Sequence, residues 1–208
     1  SQRLLAQLRF PCGDVPEPGD IKNVAPGIWW LRMPLPFQLN HINLWLVEEE
    51  DGWTIVDCGI NTEATRALWE KIFANRLAGR PVTRVIATHM HQDHCGWQTM
   101  LVDGEWVPTF PNARHLYSRR ELDHVAAYGR TAPEGSIEHD FYRTFEDTIQ
   151  PVLLAGLART LTADHVLFDD GHTRMRVEEV AGHTPGHLLV HLEAGDEHAV
   201  FSGDAIHH

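Results

Sequence analysis

THMHQDHCGW, Thr88 to Trp97, packs three histidines and an aspartate into the six positions from His89 to His94. It follows Val82-Thr-Arg-Val-Ile-Ala-Thr88, a β-branched run that reads as a buried strand. Side chains at i and i+2 of an extended or turning segment leave the backbone on the same side, so His89 and His91 can converge on one point. Asp93 and His94 reach from the following turn towards a neighbouring point. Imidazole and carboxylate ligands at this spacing suit a borderline divalent ion: zinc first, with iron(II) or manganese as alternatives. A structural site would use thiolates and be closed, whereas this nitrogen- and oxygen-rich set resembles catalytic sites that bind water. One lone histidine would read as a surface or capping residue; this cluster does not.

Two later pieces match it. Ala181-Gly-His-Thr-Pro-Gly-His187 sets His183 in a Gly/Pro turn after an apolar run ending at Val180, and Phe201-Ser-Gly-Asp204 sets an aspartate just past another. All three groups lie at strand ends, where loops gather sites on an α/β scaffold. The strand signals begin with Ile28–Met33, stopped by Pro34 and Pro36. Ile42–Val47 and Trp53–Val56 flank Glu50-Asp51-Gly52 as a hairpin. Thr62–Asn75 reads as a helix capped by Asn61 or Thr62, its stripe made of Ala64, Leu68, Ile72 and either Ala67 or Trp69. Strand, helix and strand in alternation indicate an α/β layer fold. Residues 1–27 read as an N-terminal arm, irregular over its Pro- and Gly-rich part from 11 onward.

Residues 118–156 read as a helical insert. Ser118-Arg-Arg-Glu121 is a capping box opening a helix to about Tyr128. After a loop at 131–135, Ile137, Phe141, Phe145, Ile149 and Leu153 mark a second helix, which Pro151 kinks or ends. Strands return at His165–Phe168, Met175–Val180, His187–Leu192 and Ala199–Ser202. With 208 residues, 43% of them hydrophobic, the chain supports one domain over 1–208. A net charge of -12, with only Arg119-Arg120 as a basic pair, argues against nucleic acid. No apolar run approaches the ~20 residues of a membrane span. Three scattered cysteines do not make a disulfide framework, and the start lacks the apolar core of a secretory signal; a cytoplasmic setting is the expectation.

His89-x-His91-x-Asp93-His94, Gly182-His183-Thr-Pro-Gly-His187 and Gly203-Asp204 together resemble the metallo-β-lactamase fold superfamily of metallohydrolases, from roughly Ile28 onward. Asp57-Cys58-Gly59 resembles that family's Asp-x-Gly turn. The resemblance implies an αββα four-layer sandwich and two divalent metal ions. His89, His91 and His183 would hold the first ion, Asp93 and His94 the second, and Asp204 would bridge them. The family completes its second site with a histidine well beyond that aspartate, so the resemblance also implies a chain truncated at its C-terminus. Leu35-Pro-Phe37, Ile42-Asn-Leu-Trp45, Trp106–Ala113 and the helical insert are similar to the branch of lactonases and methyl-parathion-hydrolase-like enzymes. Lactonases place a substrate-contacting tyrosine three residues after the bridging aspartate. Here that position is His207, as in the parathion-hydrolase-like branch.

The implied chemistry is hydrolysis of a small-molecule lactone or other ester by a hydroxide shared between the two ions, with Asp93 orienting it. Alternatives are a phosphotriesterase, a glyoxalase II-like thioesterase, a β-lactamase, a mononuclear iron persulfide dioxygenase, or a metal-binding scaffold fragment without activity. A homodimer is a family-level expectation. Cys95 reads as a small packed residue behind the ligands. His187 either orients a ligand carboxylate or merely packs. Trp29, Trp30, Trp45 and Trp53 read as core; Phe141, Tyr142 and Phe145 on the insert are candidates for lining an apolar acyl site, but their helical spacing favours core packing. Phe37 and Leu39 are candidates for lining an apolar acyl site.

Overall fold

The computed structural model of the chain describes residues 11–129 and 131–206. Strands β1 (Ile21–Ala25), β2 (Ile28–Pro34), β3 (His41–Glu49) and β4 (Gly52–Val56) precede helix α1 (Glu63–Asn75) and β5 (Val82–Ile86). A short helical turn, α2 (Gln92–Cys95), carries part of the histidine motif. The hairpin β6 (Thr99–Val102) and β7 (Glu105–Pro108) leads to β8 (Arg114–Ser118). Helices α3 (Arg119–Gly129), α4 (Ile137–Thr144) and α5 (Gln150–Leu154) form the insert. The chain then enters β9 (Ala158–Leu161), β10 (His165–Asp169), β11 (Thr173–Val180), β12 (His187–Ala194) and β13 (Glu197–Phe201).

One sheet runs β1-β2-β3-β4-β5-β8-β9 and the other β10-β11-β12-β13. The expected hairpin pairs β3 with β4 from Trp45 opposite Val56 to Glu49 opposite Gly52. From β4 onward the larger sheet is parallel, because α1 and then the insert carry the chain back across it. The facing sides of the two sheets bury Val56, Ile86, Leu116, Met175, Val177 and Leu188. On the other side of the larger sheet, Leu31, Leu44, Ile55 and Val85 pack under Trp69 and Ile72 of α1. Each such side chain contributes roughly 1.5–3 kcal/mol on full burial. The outward side of the smaller sheet carries charge instead: Arg176 pairs with Glu193 at 3.0 Å, and Arg174 faces the same carboxylate at 3.9 Å. Three layers, helix, sheet and sheet, are therefore present among the described residues, and the fourth helical layer is not.

Several readings shift in detail. The segment read as irregular contains β1, which pairs with β2, because Ile21–Ala25 finds its partner just across Pro26-Gly27. Helix α1 is capped by Thr62, whose Oγ1 accepts from Thr65 N at 3.2 Å, but its buried stripe is Thr65, Trp69 and Ile72. Ala64 and Ala67 face solvent. The phase is set by Trp69, whose indole Nε1 donates to Cys58 O at 2.8 Å. Pro151 does not interrupt the helical path: it lies in the first turn of α5, and a π-helical stretch, Phe145–Ile149, joins α4 to α5 just before it. Phe145 and Ile149 are buried as expected, whereas Ile137, Phe141 and Leu153 are not. Of the four tryptophans read as core, Trp53 is buried; Trp29, Trp30 and Trp45 are half-buried.

The histidine motif is held against the larger sheet by a close backbone approach. Trp97 N donates to Gly59 O at 2.9 Å, and a Cβ on Gly96 would lie 2.8 Å from the Asn61 nitrogen. Gly96→Ala should therefore destabilise the fold by about 1–3 kcal/mol, read as a lower denaturation midpoint. An unchanged midpoint would contradict this packing.

Candidate metal centre

Four strand ends converge on one edge of the sandwich. β4 releases Asp57, β5 releases Thr88 to His94, β11 leads to His183, and β13 leads to Asp204. This is where open α/β sheets present ligand sites. The ring nitrogens of His89, His91 and His183 face one another: His91 Nδ1 lies 3.0 Å from His89 Nε2 and 2.9 Å from His183 Nε2. A second group joins His89, His94 and Asp204. Asp204 Oδ1 is 3.2 Å from His94 Nε2 and its Oδ2 is 3.6 Å from His183 Nε2. Asp93 Oδ2 stands 3.8 Å from His94 Nε2. Five of the six predicted ligand residues thus share these two groups, and Asp93 lies at their rim.

The donor set fits divalent cations. A neutral imidazole offers one donor and one acceptor, so three ring nitrogens crowded together cannot all satisfy one another. Tetrahedral zinc with Zn–N of about 2.0–2.1 Å spaces its nitrogens by about 3.3 Å, close to the separations here. His94 Nε2, buried, makes no hydrogen bond of good geometry. The electrostatics agree. Burial, with repulsion from neighbouring rings, holds His89 far below the ordinary histidine range, and it lowers His91 to about 4. Burial opposes charge on His94 too, but Asp57, Asp204 and Asp93 outweigh it and push that ring up to about 10. One lobe of the site favours neutral imidazoles with free lone pairs, and the other attracts positive charge.

The outer groups fix which nitrogen each ring presents. Asp57, itself in the left-handed region at φ 58, accepts from Thr88 N and Thr88 Oγ1, each at 2.8 Å. Its Oδ2 also accepts from His94 Nδ1 at 2.8 Å, which leaves His94 Nε2 directed at Asp204. With its proton given to Asp57, Thr88 Oγ1 accepts from His89 Nδ1 at 3.1 Å, and His89 Nε2 is left unprotonated. His187 packs on His89, ring centroids 5.0 Å apart. Its Nε2 accepts from the Asp204 backbone N–H at 3.1 Å, so it holds the aspartate through the main chain rather than through its carboxylate. Cys95 is packed as expected: it is fully buried, burial raises its pKa, and Sγ–H donates to His91 O at 3.3 Å.

Some contributors escape sequence reasoning. Glu121 occupies the acidic position of the expected capping box, and Ser118 Oγ does accept from its N–H at 3.2 Å. Its carboxylate, 2% exposed, turns away from the cap and accepts from Met90 N at 3.3 Å and Gly186 N at 2.9 Å. It therefore ties the two histidine loops together, a contact no local spacing encodes. Phe141, whose helical spacing favours the core over the acyl site, instead stacks on His91 with centroids 4.9 Å apart. Leu39 and Trp45 line a cavity of about 220 Å³ beside Asp93, His94 and Asp204, while Phe37 stands exposed outside it. His207 lies outside the described residues.

A family model described as the metallo-beta-lactamase superfamily matches residues 38–208. A probable metallo-hydrolase, YqjP of Bacillus subtilis (strain 168), is 28% identical over 79% of this chain and 53% of its own length. The crystal structure of a beta-lactamase domain protein from Burkholderia ambifaria superposes with TM-score 0.66 at 37% identity, over 88% of this chain and 56% of that one. A hydrolase of the beta lactamase superfamily, AbOPH, superposes with TM-score 0.62 at 26% identity, over 80% and 57%. The chain spans about half the length of the curated relatives it matches.

Asp57→Asn keeps the shape of the Asp57 side chain but weakens its acceptance from His94. Metal affinity, measured by competition with a chromophoric chelator, should fall about 10–100-fold, with the far-ultraviolet circular dichroism unchanged. Affinity equal to wild type would remove Asp57 from the orienting network.

Proposed function

The chain belongs to the metallo-beta-lactamase superfamily, and from that premise we propose that it is a hydrolase that uses two divalent cations to cleave a small lactone or other carboxylic ester. The observation that carries this reading is Asp204, whose two oxygens face His183 on one side and His94 on the other. A single carboxylate thus spans both ligand groups, as a shared ligand must. His89, His91 and His183 would hold one ion, Asp93 and His94 the other, and Asp204 both. When bound, such a pair supplies Lewis acidity and brings the pKa of water towards ~7.

The chain's own groups do the rest. Asp93, half-buried beside His94, is placed to accept a hydrogen bond from the attacking water and so direct its lone pair at the acyl carbon. Water adds to that carbon, the C–O bond to the alcohol breaks, and the alcohol leaves with a proton. An open-chain ester gives acid and alcohol and a lactone a single hydroxy acid, so no redox partner is consumed. A side-chain nucleophile is not required, and Cys95 does not offer one, since its buried thiol stays protonated. The two cavities flanking the histidines, about 230 and 220 Å³, leave room for a small substrate.

Elemental analysis of the purified protein should find two divalent ions per chain. Metal-loaded protein should turn over members of a panel of lactones, aryl esters and phosphotriesters, carboxylic esters above the others. His183→Ala should bind at most one ion and lose at least ~100-fold in kcat/KM. Fully loaded protein that leaves every lactone and ester intact would overturn the reading.

A further inference from the structure

Phe141 stands between two hollows beside the histidine cluster. On one side is a cavity of about 230 Å³ bounded by Met90, His91, Val125, His183 and Pro185. On the other is a cleft of about 440 Å³ bounded by Asn61, Gln92, Trp106 and Thr148. Phe141 lines both. Its ring lies nearly parallel to His91, at 16° between planes, and remains 37% exposed.

The π-helical stretch explains why a residue on a core-like spacing is free to do this. A π turn inserts an extra residue and rotates the helix before it by about 100° relative to the helix after it. Phe145 and Ile149 are thereby committed to the core, at 9% and 0% exposure, while Phe141, one turn earlier, faces the histidines. Phe141 belongs to none of the hydrophobic core clusters among the described residues. Thr184, which also lines the smaller cavity, is 8% exposed, and its hydroxyl has no hydrogen-bond partner among the described residues. Met90, Val125, Phe141 and Pro185 give this cavity an apolar wall, and Glu121, His124, Glu138 and the unsatisfied Thr184 hydroxyl add polar groups to it, the makings of a subsite for a compact apolar group bearing a polar atom.

We propose that Phe141 is the specificity-determining residue of this site: it walls off the smaller cavity and limits the group lodged beside His91 and His183 to a single ring or a short branched chain. This rests on the hydrolase reading, since it assigns the substrate class of that same site. Removing the ring joins the cavity to the cleft and admits a fused ring system; enlarging it closes the cavity.

The test compares phenyl acetate with 2-naphthyl acetate on zinc-loaded wild type, Phe141→Ala and Phe141→Trp, alongside calorimetric binding of phenol and 2-naphthol to the same proteins. Wild type should favour the phenyl ester by about tenfold or more in kcat/KM. Phe141→Ala should reduce that preference by about tenfold, mainly through a lower KM for the naphthyl ester, and Phe141→Trp should raise KM for both. If both esters are hydrolysed but Phe141→Ala changes neither the kcat/KM ratio nor the relative binding of the two phenols, the wall is refuted and the hydrolase reading stands. If neither these esters nor any lactone or ester of the panel is hydrolysed while Phe141→Ala still improves 2-naphthol binding relative to phenol, the hydrolase reading fails and the wall stands. If the whole panel is left intact and relative binding is unchanged, both are refuted.

Discussion

The buried carboxylate of Asp57 is the group on which the site depends. At 3% exposure it would cost several kcal/mol if unpaired. Three donors meet it: the Thr88 backbone and hydroxyl, from the end of β5, and the His94 ring, from the next turn. The network fixes the join between two neighbouring strand ends and, through Thr88, the ring of His89 as well. Its geometry requires a left-handed backbone at Asp57, a conformation that aspartate tolerates better than most residues. The local strain is held by the parallel pairing of β4 and β5 on one side and by the indole of Trp69, bonded to the next carbonyl, on the other.

From that join the electrostatics of the site follow. Rings near His89 are neutral because they are buried among one another, and the ring near the aspartates is drawn positive. An arrangement with free lone pairs on one side and unbalanced negative charge on the other is poorly satisfied by protons alone, since a proton on any one nitrogen repels its neighbours. Divalent cations satisfy both sides at once. Gly203 completes the arrangement: at φ 48, with Thr88 Oγ1 and His187 Nε2 where a side chain would go, it lets the Asp204 backbone approach His187 closely. Part of the ligand geometry is thus set by a residue with no side chain.

Legibility in the sequence divides along the range of the interactions. His89, His91, His94, His183 and Asp204 are readable because each follows a strand whose β-branched or apolar run is local, and i, i+2 geometry does the rest. The hairpin of β3 and β4 and the cap of α1 are readable for the same reason. Glu121 is not, because its position satisfies a capping box while its carboxylate is claimed by Met90 and Gly186, 31 and 65 residues away. The short strands β8 and β9 escape notice because four or five residues of mixed polarity acquire strand character only from their neighbours in the sheet. The stripe of the insert misleads at Phe141 because a constant helical period does not survive a π turn.

The insert therefore does two jobs that bear on one another. Through Glu121 at the start of α3 it ties the loop of His89 and His91 to the loop of His183 and His187. The N-terminus of that helix is a favourable place for a buried carboxylate, because its dipole offsets part of the desolvation cost. Through Phe141 on α4 it closes the cavity that those same loops open. Helices α3 and α4 pack against one another, and Leu122 and Val125 of α3 share a cluster with Phe145 and Ile149 of the π-helical stretch that continues α4 and with Met90 and Cys95 of the histidine motif. A shift of α4 that widened the cavity would therefore be transmitted through this cluster to Met90, whose N–H is one of the two that Glu121 holds. Pocket size and loop spacing are mechanically coupled, so a change of substrate range achieved by moving α4 would disturb the histidine geometry. A change made at the Phe141 ring alone would bypass that coupling, since the ring lies outside the cluster, and would reach the histidines only through its stacking on His91.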